Sequence, residues 1–261
     1  MQNTNPTGLD AYKPSQLTEL VEQAGLAKAK LPFVQLFTLA VLAGCFISLG
    51  GAAYTMVMTG ADVSFGPIRF VGGIVFSVGL ILVIVGGAEL FTGNALMIMA
   101  AVDRKITIGQ LLKNWIIVYI GNFAGALIVV IAIWPTGLLE GPAGETAAAI
   151  STAKSQLSWS QALFRGILCN MFVCLAVWLS LAARSVPGKI MAVIWPISCF
   201  VLLGLEHSIA NMYLIPQGMI AGAPVGFADF AKNLLFVTVG NVIGGAGGVA
   251  GAYRLAYGGR A

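Results

Sequence analysis

Six predominantly apolar stretches, at about 33–58, 70–101, 114–134, 162–183, 190–220 and 233–253, dominate the chain. The hydrocarbon core of a bilayer is about 30 Å thick and takes roughly 20 residues of helix to cross, so every stretch is long enough to span it. A spanning segment has no water to bond to, and helix satisfies each N–H and C=O internally. Only 9% of the 261 residues are charged, whereas a water-soluble domain carries about a quarter. The expectation is an all-α integral membrane protein, one domain of six transmembrane helices. A soluble two-domain enzyme, a nucleic-acid binder and a disulfide-rich secreted module are excluded.

The few charges orient the spans. Lys13, Lys28 and Lys30 precede the first stretch, and Arg104, Lys105 and Lys113 separate the second from the third. Arg184 and Lys189 separate the fourth from the fifth, and Arg254 and Arg260 follow the sixth. The alternate connections hold Arg69, Lys154, Arg165 and Lys232. By the positive-inside rule both termini lie in the cytoplasm, in a multi-pass protein of the cell's inner membrane. Residues 1–30 carry Asp10, Glu19 and Glu22 and lack a signal peptide's apolar core. Leu17, Leu20, Val21 and Ala24 recur there at helical spacing. The expected organisation is a cytoplasmic amphipathic segment (1–30), a six-span domain (31–256) and a short tail (257–261).

Two stretches are too long for one crossing. Residues 70–101 and 190–220 would each make a helix of roughly 45 Å. Each is interrupted near its middle, by Gly86-Gly87-Ala88-Glu89 and by Gly204-Leu205-Glu206-His207. Steep tilt is one reading; a helix broken at mid-membrane is the other. An internal repeat favours the second. Lys113 to Gly125 overlays Lys232 to Gly244, with Lys, Asn, Val, Gly, Asn and Gly at the same offsets, and Glu89 and Asn94 overlay Glu206 and Asn211. Lys113 starts its span on the cytoplasmic side and Lys232 on the outer side. Two inverted repeats of three spans are thus expected, with the breaks of spans two and five at corresponding places, where transporters bind their substrates.

Polar side chains within these spans are few. His207 is the only histidine; an intramembrane ionisable group is a functional candidate by default, and a structural imidazole is the ordinary alternative. Glu89 and Glu206 are placed to accept hydrogen bonds from backbone N–H groups freed at the breaks. Thr92, Asn94, Asn211 and Asn241 can hold helices together, and Thr92 could instead meet a ligand. Phe76, Leu80, Leu90, Phe91, Val173 and Phe200 suit apolar constrictions or ordinary packing. Cys45, Cys169, Cys174 and Cys199 show no CxxC spacing, so no disulfide frame and no metal is expected, and no cofactor motif is present.

Gly87-Ala-Glu-Leu-Phe-Thr-Gly-Asn94, Gly204-Leu-Glu-His-Ser-Ile-Ala-Asn-Met-Tyr213 and Val239-Gly-Asn-Val-Ile-Gly-Gly245 together resemble the formate/nitrite transporter family. The resemblance implies a homopentamer in membrane lipid, with an aquaporin-like protomer and one substrate path in each. It implies that Thr92 and His207 face each other across a central chamber, with Asn241 as a polar partner near the histidine. Lys154 is similar to a lysine that draws anions toward the path. Phe76, Phe200, Leu80, Leu90, Phe91 and Val173 match positions that narrow it. The substrate implied is a small monovalent anion, formate first, then nitrite or hydrosulfide. Two other classes stay open at this point: an intramembrane enzyme using Glu89, Glu206 and His207, and a neutral-solute facilitator.

Overall fold

The computed structural model describes residues 11–62 and 65–258; Asp10, Arg260 and the last three residues of the tail, on which the charge reading drew, lie outside them. Helix α1 (Pro14–Ala29) leads into α2 (Phe33–Met58). The second stretch is divided into α3 (Gly66–Phe76), α4 (Val78–Gly86), α5 (Phe91–Asn94) and α6 (Ile98–Val102). Then come α7 (Ile108–Ile133), α8 (Pro142–Ser155) and α9 (Trp159–Ala182). Helices α10 (Val186–Leu202) and α11 (Ser208–Ile220) divide the fifth stretch, and α12 (Phe227–Val242) continues through a π-helical run into α13 (Ala252–Tyr257). Capping boxes start α7 and α9: Thr107 Oγ1 accepts the Gln110 N–H at 3.1 Å, and Ser158 Oγ accepts the Gln161 N–H at 3.2 Å.

Among the described residues, five continuous helical stretches are long and apolar enough to cross a membrane: Phe33–Met58, Gly66–Gly86, Ile108–Thr136, Trp159–Ala182 and Phe227–Tyr257. The fifth apolar stretch of the sequence is not among them, because its α10 half has only 17 residues before the backbone leaves helical geometry. Large apolar side chains point outward on these helices, Ile131 at 72% and Leu235 at 60% exposure. Water would penalise such faces; lipid or a neighbouring subunit does not.

Glycine brings the two principal helix pairs, α2 with α7 and α9 with α12, into backbone contact. A Cβ added at Gly125 would lie 2.1 Å from the Val41 carbonyl oxygen, and one at Gly240 would lie 2.3 Å from that of Leu163. Small residues permit this approach, and no side chain can be accommodated without moving a helix. Gly125→Ala is therefore expected to destabilise the protein by about 2 kcal/mol, whereas Gly247→Ala, with nothing within 4 Å, should change nothing. Thermal unfolding of the purified proteins in detergent checks the contrast.

Helix α1 lies on protein. Leu17 and Val21 are buried in one cluster with Leu96, Met99, Trp178 and Val249. At its edge Glu22 is ion-paired with Lys105, and Asp103 with Arg254. Burial, then the neighbouring Asp103, pushes the Glu22 carboxyl above the usual carboxylate range. The hydrogen bond to Glu22, assisted by Arg254, holds Asp103 below it despite some burial.

Candidate functional site

The helical backbone is interrupted twice, each time beside a left-handed glycine. After α4 the chain turns at Gly87 (φ +81°), runs extended through Leu90 and resumes at Phe91. After α10 it turns at Gly204 (φ +65°), runs extended through His207 and resumes at Ser208. Each resuming helix begins with N–H groups that have no partner in the preceding turn.

An asparagine from a distant helix fills that need in both places. Asn122 Oδ1 accepts the Phe91 N–H at 2.9 Å, while its Nδ2 donates to the carbonyls of Glu89 (2.9 Å) and Ala40 (2.7 Å). Asn241 Oδ1 accepts the Ser208 N–H at 2.8 Å, while its Nδ2 donates to the carbonyls of Glu206 (3.0 Å) and Gly166 (2.8 Å). One sequence expectation is corrected here. The break-supporting role assigned to Glu89 and Glu206 belongs to Asn122 and Asn241, because an interrupted helix frees both N–H and C=O groups. An amide serves both; a carboxylate can only accept. Asn241, expected as a polar partner near the histidine, has both ends of its amide on backbone either side of that residue, the Ser208 N–H and the Glu206 carbonyl.

The two glutamates have other bonds. Glu89 accepts from Lys28 Nζ at 2.5 Å and from Asn94 Nδ2 at 2.8 Å. Glu206 accepts from Lys154 Nζ at 2.9 Å and from Asn211 Nδ2 at 2.6 Å. Asn94 and Asn211 pass the network on to Asn114 and Asn233, at 2.9 and 2.8 Å, and these donate back to the carbonyls of Lys28 and Lys154. Every member on one side has a counterpart on the other. The repeat therefore extends beyond the overlaid segments: α1 answers to α8, α2 to α9, α7 to α12. In the sequence Lys28 stands out only as an orienting charge and Asn114, Asn122 and Asn233 carry no evident role; their matched offsets in the repeat are the available signal.

His207 is 3% exposed and lies at the second interruption. Its Nδ1 accepts the Ala210 N–H at 3.0 Å, which caps α11, and its Nε2 is 2.8 Å from Thr92 Oγ1. An Nδ1 that accepts holds no hydrogen, so the proton of the neutral ring sits on Nε2 and is donated to Thr92. That leaves the Thr92 hydroxyl hydrogen without an assigned acceptor. Phe200 lies nearly parallel to the imidazole, with ring centroids 6.1 Å apart, and Phe76 meets Phe200 edge-on at 5.7 Å.

A cavity of about 710 Å³ opens beside α8 and ends on these rings. Phe76, Phe200 and His207 line its inner end; Leu80, Leu90, Phe91 and Val173 do not border it and are buried in the surrounding core. Its charged lining consists of Arg69, Lys154 and Arg165 against Glu145 and Glu206. The two arginines were legible in the sequence only as sparse charges between spans.

Apolar helices of membrane length, faced outward with apolar side chains, define a multi-pass membrane protein. The chain belongs to the formate/nitrite transporter family, whose profile it matches over residues 15–255. It is 38% identical over 268 residues to formate channel FocA of Escherichia coli (strain K12), covering 94% of this chain and 93% of that one. A solved pentameric formate channel with formate bound is 37% identical, with a TM-score of 0.77 over 86% of this chain and 97% of its own. A solved FNT family ion channel is 26% identical, with a TM-score of 0.87 over 93% of this chain and 99% of its own. As a member of this family the chain is a membrane transporter of small anions and not an enzyme.

Proposed function

We propose that each chain conducts formate across the inner membrane, as one subunit of a homopentamer, along a path from the cavity past Phe76 and Phe200 to His207 and Thr92. Both termini face the cytoplasm, and α10 with α11 makes the sixth crossing. The observation that carries this reading is the Thr92–His207 pair, 2.8 Å apart, with His207 on the apolar end of a basic cavity and Thr92 buried behind it. A bare anion entering such a place loses hydration worth several kcal/mol unless donors replace it. The Thr92 hydroxyl hydrogen is one such donor, and Nε2–H becomes the second when the anion replaces Thr92 as its acceptor. A second ring proton would have to enter at Nδ1 and displace the Ala210 N–H. The resting ring is therefore a neutral donor, and imidazolium forms only when an arriving anion compensates for the lost cap. Glu89 and Glu206 are each held by a lysine and an asparagine, which leaves no convergent acid–base group for an intramembrane enzyme.

His207→Asn removes the titrating ring and shortens the donor. Losing a hydrogen bond to an anion costs about 1.5–3 kcal/mol, so formate uptake into proteoliposomes is expected to fall about 10–100-fold and to lose its original pH dependence. Unchanged uptake with an unchanged pH profile would sink the proposal. Presenting formate, nitrite, hydrosulfide and chloride in turn to the native protein ranks the anions, with formate expected first.

A further inference from the structure

Lys154, the cation that sequence resemblance placed in charge of drawing anions inward, is 2.9 Å from Glu206, and its side chain is only 16% exposed. Its charge is matched where it stands. The cavity's other two cations differ. Among the described residues neither Arg69 nor Arg165 forms an ion pair, and both are half-buried on the lining. They come from separate helices, α3 and α9, and meet at one residue. Arg165 Nη1 donates to the Gly204 carbonyl at 3.3 Å, and Arg69 Nη2 lies 2.6 Å from where a Cβ on Gly204 would stand. Gly204 is the left-handed turn that leads to Glu206 and His207. The guanidinium pair thus sits directly outside the Phe76–Phe200 narrowing.

We propose that Arg69 and Arg165 form an outer docking site for planar oxyanions, carboxylates above all, at the mouth of the path. Among the described residues, several N–H groups of each planar fork are uncommitted, and a fork of this kind matches the two oxygens of a carboxylate in a way that a point charge does not. Phe76 and Phe200, in edge-on contact with each other, close the inner end of the cavity, while the cavity itself, at about 710 Å³, is far larger than formate needs. The site therefore takes carboxylates too bulky to travel further, and benzoate is a carboxylate that docks without passing. Gly204 has to be glycine for two reasons: its positive φ, and the space that Arg69 occupies. This inference rests on the reading of the cavity as the entrance of the path.

The test uses the full-length protein in proteoliposomes, with initial formate uptake measured against formate concentration, with and without benzoate on the cavity side. Native protein should show competitive inhibition by benzoate and no benzoate entry. Arg69→Gln/Arg165→Gln should raise the half-saturating formate concentration roughly fivefold or more, keep the maximal rate within about twofold, and lose benzoate inhibition. Arg69→Lys/Arg165→Lys should recover less than half of that change, because it restores charge without the fork. Native half-saturation and benzoate sensitivity in the glutamine pair overturn the proposal, as does a loss confined to the maximal rate or full recovery by the lysine pair. If the variants do not fold, phenylglyoxal applied to native protein from the cavity side decides. Saturating benzoate should protect Arg69 and Arg165 from modification, as read by peptide mass, and absence of protection overturns the site. Protection in a protein that passes no formate would support the docking site and defeat the transport reading, so the two failures are distinguishable.

Discussion

Asn241→Leu is expected to abolish accumulation of folded protein, and Asn122→Leu to do the same. Each substitution keeps the side-chain volume close and strips three hydrogen bonds at once. For Asn241 the orphans are the Ser208 N–H and the carbonyls of Glu206 and Gly166; for Asn122 they are the Phe91 N–H and the carbonyls of Glu89 and Ala40. Both asparagines are completely buried, out of reach of bulk water. A buried group left unsatisfied costs about 1–3 kcal/mol, so three cost about 5 kcal/mol, a large part of a typical net stability. Size-exclusion profiles of detergent extracts read the result directly. A monodisperse, thermally native Asn241→Leu protein would show that the breaks hold themselves without the amide.

The second large effect concerns the paired charges. Lys154→Met leaves Glu206 with Asn211 as its one remaining donor, at 3% exposure. Removing one partner of a buried ion pair costs about 3–5 kcal/mol, which for a chain of this size lowers the melting temperature by roughly 10 °C. Lys154→Met/Glu206→Met should recover at least half of that loss, since no unpaired charge remains. Lys28→Met should cost less than Lys154→Met, because the Lys28 side chain is 30% exposed against 16% for Lys154, and water screens the outer pair better. Equal losses at the two lysines would mean that solvent exposure does not set the energy of these pairs.

What could be read from the chain in advance was what depends on local spacing. Gly87 and Gly204 are glycine because the backbone there needs a positive φ, and they stand within apolar stretches too long for one crossing. The repeat was legible because matching residues recur at matching offsets, and it pointed to both asparagine braces without saying what they hold. The partners of Glu89 and Glu206 are hidden in the sequence because their cations sit on α1 and α8, outside the overlaid segments, and sequence separation conceals a 2.9 Å contact between Lys154 and Glu206. Thr92 and His207 were placed opposite each other by resemblance; nothing in the spacing of the two positions would have done so.

The sequence by itself determined the solvent, the helical class, the position of both interruptions and the family, because apolar run length, glycine conformation and short motifs are local properties. Tertiary structure alone decided which donor meets which acceptor. It committed Asn241 to the backbone, neutralised Lys154 with Glu206, set the proton of His207 on Nε2 and brought Arg69 and Arg165 to one glycine. Hydrogen bonds and ion pairs act over about 3 Å, and only the packing of distant helices brings their partners within that range.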